Sequence, residues 1–144
     1  MRRSIRGLNE KELDVRGGSE GWSIREYIHH LVEANLIASN MIICAIAADG
    51  YDYDWTWVWP DKTWVKRMGY DKADVAPSIA FLTSLCRHIS GLVAAKPRFL
   101  KNKVNVNDTP GAKRYALTVE KIFLQEIDHA NTHLNDIALI RNSH

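Results

Sequence analysis

The sequence predicts an all-α chain, a single helical domain over residues 1–144. Three observations carry that reading. Stretches over about 23–49, 75–95 and 118–141 repeat their apolar positions every three to four residues. Each opens on a residue whose side chain caps helices. Only one segment alternates as a strand does, and no clear second strand exists to pair with it.

The elements follow in order. Asn9-x-x-Glu12 caps a short helix that ends before the loop of Gly17, Gly18 and Gly21. In GWSIREY, Ser23 and Glu26 form an S-x-x-E capping box, and Trp22 and Tyr27 occupy the two positions of a hydrophobic staple. The first long helix runs from there to about Asp49 and stops at Gly50. YDYDWTWVWPDKTW, from Tyr51 to Trp64, reads as a long aromatic loop laid over the bundle. The second long helix begins near Asp74, tolerates Pro77 in its first turn and ends before Pro97. Its stripe is Leu82, Leu85, Cys86, Ile89, Leu92 and Val93. Thr118 is the N-cap of the third, which ends near Arg141.

Composition narrows the function classes. Apolar content of 46% with 25% charged residues is that of a soluble globular protein. With 19 basic against 17 acidic residues, there is no electrostatic case for nucleic acid. The one basic cluster, Arg2, Arg3 and Arg6, reads as a solvated terminus. The start lacks the apolar stretch of a secretory signal, and the longest purely apolar run, Met41 to Ala48, is far too short for a bilayer. The expectation is a cytoplasmic protein with no membrane partner. Cys44 and Cys86 read as buried, inert core thiols without a disulfide.

The histidines carry the chemistry. At 100° per residue, Ile24, Ile28, Leu31, Ala38 and Ile42 define the core stripe of the first long helix. His30 lies at its inward edge, with Tyr27, Ala34, Ile37 and Met41. His29 points to solvent, among Arg25, Glu26, Glu33 and Asn40. On the last helix His129 and His133 stand one turn apart, with Cβ atoms about 6 Å from each other, a reach at which two imidazoles can grip one cation. Alone, such a pair more often makes ordinary solvated or core hydrogen bonds. A third ligand must come from another helix, and His30 is the best-placed candidate. Imidazole donors suit one divalent ion, Zn, Ni or Fe among them. Glu26-x-x-His29 and Glu126-x-x-His129 also fit half of a di-iron carboxylate site. That reading fails, because the helix from Val75 to Ala95 contains no Asp or Glu and Glu26 and His29 face away from the core. His88 reads as peripheral.

Trp22, Ser23, Arg25, Glu26, His30 and Leu31 spell W-S-x-R-E-x-x-x-H-L, which is similar to the second-helix motif of the DinB-like (DinB/YfiT) superfamily. Asp128 to Leu134, DHANTHL, resembles that family's last-helix motif, and LNEKELD (Leu8 to Asp14) the segment leading into its Trp-Ser pair. The resemblance implies an up-down four-helix bundle holding one divalent metal through His30, His129 and His133. It further implies a metal-dependent enzyme acting on a small molecule, as in the family's transferases of low-molecular-weight thiols such as bacillithiol and mycothiol and its thiol-dependent maleylpyruvate isomerase. The rival is a non-catalytic bundle that binds a metal or small ligand. Glu126 and Asp136 are placed to orient the imidazoles or to act as a base. Family members carry a full helix ahead of the segment that LNEKELD resembles. The first bundle helix is therefore expected to be missing or shortened here, and the uncovered apolar faces to meet in a homodimer.

Overall fold

The computed structural model describes residues 7–143, so Arg2, Arg3 and Arg6 lie outside the described residues. Its centre is the long helix that the Ser23 box opens. Ser23 Oγ accepts the Glu26 backbone N–H at 3.1 Å, and the Glu26 carboxylate accepts that of Ser23 at 2.7 Å. Satisfying these orphan donors fixes where the helix starts. Trp22 packs on Tyr27 with ring centroids 5.3 Å apart, closing the staple.

Ahead of it stand α1 (Glu10–Leu13), with the Asn9 and Glu12 capping box formed, and a small hairpin of β1 (Arg16–Gly17) and β2 (Trp22–Ser23). The central helix is α2, Ile24–Ala47. β3 (Tyr51–Asp54) and the short α3 (Asp61–Met68) follow, then α4 (Val75–Ala95), capped by Asp74. β4 (Lys103–Asn107) and β5 (Tyr115–Thr118) lead into α5 (Val119–Asn142), capped by Thr118. Both α4 and α5 pack on α2. The helices dominate, as the all-α reading expects.

The aromatic segment departs from expectation. Tyr51–Asp54 is a strand, paired in parallel with β4, which pairs antiparallel with β5. Its partner lies about fifty residues downstream, beyond α4, where the alternation of KVNVN is only five residues long. The inward residues of this sheet, Val104, Val106 and Leu117, join Ile37, Met41 and Ile42 of α2 in one apolar cluster. A second cluster, with Tyr27, Ile28 and Ile137, lies at the other end of the bundle. α2 and α4 are each long and apolar enough to cross a membrane by length and composition alone, and the same features suit helices of a bundle core.

Two further corrections concern side chains. Arg25, Glu26 and His29, assigned to solvent by the helical wheel, are all buried. The Arg25 guanidinium donates to Asp14, Glu10 and the Ala73 carbonyl. Glu26 receives Arg16. His29 donates through Nε2 to the Ala73 carbonyl at 3.3 Å, accepts the Ser78 hydroxyl at Nδ1 and stacks on Tyr70. A wheel registers one helix, whereas α1, the β1–β2 hairpin, the Tyr70–Ala73 segment and the first turn of α4 wrap this face. Cys86 is exposed rather than buried, and Cys44 half-buried; both are free thiols. His88 is exposed.

Candidate metal centre

His30 sits between the two apolar clusters on α2, and His129 and His133 reach the same level from α5. Their Nε2 atoms converge: His30 to His129 is 3.1 Å and His133 to His129 is 2.9 Å. The three ligand atoms all lie within 4.8 Å of one another. The rings meet edge-on, and their neighbours leave them little freedom. Trp22 and Trp64 hold His30 at centroid distances of 4.8 and 5.3 Å, and Tyr27 holds His133 at 5.1 Å.

The tautomer of His133 follows from its other nitrogen. The Asp136 carboxylate lies 3.4 Å from His133 Nδ1, so the proton belongs there and the Nε2 lone pair faces the other histidines. Asp136 is itself fixed by the backbone N–H and hydroxyl of Ser19, each at 2.9 Å. This brings the β1–β2 hairpin against α5 so closely that Gly18, at φ +72, has no room for a side chain. A Cβ there would stand 2.6 Å from the Tyr27 hydroxyl and 2.8 Å from Asp136 Cβ. Glu126 approaches His129 Nδ1 at 4.0 Å, and its Oε2 is buried without a hydrogen-bond partner.

Burial, with His129 and His133 close by, lowers the His30 pKa to about 3, and burial lowers that of His133. Both are therefore neutral near pH 7, the state in which imidazole binds a metal. Nitrogen lone pairs 2.9 and 3.1 Å apart would be poor company alone. Around a tetrahedral ion with bonds of about 2.0–2.1 Å, nitrogens sit about 3.4 Å apart, so the donor set fits a divalent cation after a small expansion. One pH consequence follows for the metal-free protein. Its unfolded histidines take up protons near pH 6.5 and folded His30 only near 3, so stability should be complete above about 6.5 and fall as pH drops towards 3. Denaturant midpoints across that range check it; a flat profile contradicts it.

Two cavities flank the nitrogens. One, of about 280 Å³, is walled by Ile37, Met41, Trp55, Trp64, Leu117 and Ile122 beside Glu126. The other, of about 610 Å³, lies among Glu20, Trp22, Trp59, Pro60 and His133. His30 and His129 line both.

The sequence profile of the DinB superfamily matches residues 1–137. The chain belongs to the DinB superfamily. Among solved structures it is similar to YfiT from Bacillus subtilis, described as a probable metal-dependent hydrolase with an unusual four-helix bundle topology. The TM-score is 0.82 at 18% identity, over 99% of this chain and 78% of that one, which shows the fold. No curated protein matches the chain. In this DinB-superfamily chain the structure brings together all three expected histidines and sets Asp136 and Glu126 beside them. Two residues that shape the site carry no signal of it in the sequence: Ser19, which lacks any local pattern, and Trp64, which lies at the end of the aromatic segment and falls on α3.

Proposed function

We propose that this DinB-superfamily chain is a metal-dependent transferase, using a low-molecular-weight thiol at one divalent ion held by His30, His129 and His133. The observation that carries the reading is the convergence of three Nε2 atoms where two cavities meet. Three imidazoles leave coordination positions open, and two cavities walled by the same histidines suit a reaction with two substrates. A divalent ion held there would lower the pKa of a bound thiol or water and so supply a nucleophile near neutral pH. Asp136 keeps His133 in its ligating tautomer. Glu126, with one oxygen unpartnered, is placed to take the thiol proton as sulfur bonds to carbon and the leaving group departs with its electron pair. Partial desolvation pushes the Cys44 thiol up, and partial desolvation with the Glu126 charge nearby does the same for Cys86 despite its exposed surface, so the external thiol brings the sulfur.

The metal-loaded protein should conjugate a small thiol to monobromobimane faster than the metal-free protein, and the double change Cys44→Ser and Cys86→Ser should not slow it. Equal rates with and without metal across bacillithiol, mycothiol, glutathione and coenzyme A would refute the thiol reading. A hydrolase is the second reading, favoured by the description of YfiT and by the unpartnered Glu126 oxygen, which suits water as nucleophile. Metal-dependent ester cleavage with no thiol requirement would select it. Metal retention without either activity would leave a non-catalytic binding bundle.

We also infer a cytoplasmic homodimer. Phe81 and Leu92 of α4 and Leu124, Ile127 and Leu139 of α5 are 40–62% exposed, apolar area of the kind that marks subunit contacts. A two-fold contact burying about 2,000 Å² or more would cover it. Light scattering should give twice the 16.4 kDa chain mass in detergent-free buffer. A stable, cooperatively folding monomer at micromolar concentration would rule the dimer out.

A further inference from the structure

The smaller cavity has an unusual charge inventory for a site beside three histidines arranged to hold a cation. Its walls are Ile37, Met41, Trp55, Trp64, Leu117 and Ile122, and among the described residues no Lys or Arg lines it. Apart from the histidines and the Tyr115 phenol, the sole ionisable group there is the Glu126 carboxylate. The larger cavity repeats the pattern, with Glu20 and no described Lys or Arg.

We propose that the smaller cavity selects for charge: it receives the uncharged, apolar arm, aryl or short alkyl, of the molecule whose donor atom would bind an ion held by the three nitrogens, and it rejects an arm carrying a carboxylate. The inference rests on the proposed function for the donor atom and adds the substrate class. An apolar arm sheds water favourably against these walls. A carboxylate held away from the nitrogens sheds its hydration against apolar walls, pairs with no Lys or Arg among the described lining residues and faces Glu126, a desolvation cost that the more distant attraction of an ion at the nitrogens does not offset. Among small thiols or acceptors, neutral ones are therefore preferred to those whose bodies bear carboxylates. Gln125, exposed at the rim of the same cavity, is the position where one added cation should change the preference.

The test uses cobalt-loaded protein and two matched pairs of probes. Phenylmethanethiol and 4-(mercaptomethyl)benzoate share the sulfur and differ only in the distal charge; their binding is read from the sulfur-to-cobalt absorption band. Benzyl alcohol and 4-(hydroxymethyl)benzoate lack the thiol and are read from the fluorescence of the cavity tryptophans. The neutral member of each pair should bind tighter by roughly ten-fold or more, the penalty for an unpaired buried charge being large. Gln125→Lys should strengthen carboxylate binding and leave the neutral probe unchanged. Equal or tighter binding of the carboxylates overturns the proposal, even where the cobalt band appears and so supports thiol binding. Discrimination within the alcohol pair with no cobalt band from either thiol leaves the cavity preference standing and refutes the thiol reading. Silence from both pairs refutes both.

Discussion

Replacing His129 by Ala should strip the protein of metal. His129 Nε2 is the shared neighbour of the other two, at 3.1 Å from His30 and 2.9 Å from His133, so its loss leaves two nitrogens without the one between them. Losing a residue that merely orients a ligand costs about 10–100-fold in metal affinity, and removing a ligand itself should cost more. Elemental analysis of protein purified without added metal reads the result directly. His30→Ala should behave alike. His29→Ala is the control, because its ring is spent on the Ala73 carbonyl, the Ser78 hydroxyl and the face of Tyr70. That change should keep the metal and lower stability by about 1–3 kcal/mol, the cost of unpaired buried polar groups. Metal lost in His29→Ala and kept in His30→Ala would invert the ligand assignment.

Gly18→Ala should be the most damaging small substitution in the hairpin. A side chain at φ +72 costs about 1–2 kcal/mol by itself. Here the new methyl also meets the Tyr27 hydroxyl at 2.6 Å and Asp136 Cβ at 2.8 Å, and relieving such overpacking costs about 1–3 kcal/mol more. Moving Asp136 frees the ring of His133, so metal affinity should fall together with stability, by about 10–100-fold. Gly21→Ala separates the two effects. Gly21 has φ +70, but nothing lies within 4 Å of its Cβ position, so only the conformational cost applies. Denaturant unfolding of both metal-free variants, with metal titration alongside, checks the contrast. Equal losses in the two would show that the contact with Asp136 carries no weight.

What the sequence revealed and what it hid have physical reasons. The capping boxes at Asn9 and Ser23 and the caps at Asp74 and Thr118 are local, and each helix begins where its cap stands. The metal candidates were legible because His129 and His133 share a helix face and His30 lies at the edge of a core stripe. The burial of His29 was not, since it depends on Tyr70, Ala73 and Ser78, brought over from more than forty residues away. Likewise β3 looked unpaired because its partner is remote. The hold of Ser19 on Asp136 spans 117 positions, and no window along the chain contains it.

The parallel pairing of β3 with β4 has a kinetic consequence. Tyr51 meets Val104 only after α3 and α4 have been laid between them, so a loop of about fifty residues must close before the first ladder bond is made. Such long-range closure is slow compared with forming a single helix. Trp55 follows β3 directly, and Leu117 lies on β5, which needs β4 in place. Trp55 and Leu117, two of the apolar residues that wall the smaller cavity, are therefore late products of folding. Bringing the three histidines together is longer-range still, since His30 and His129 are 99 positions apart, so the donor set and the strands that enclose it both come late.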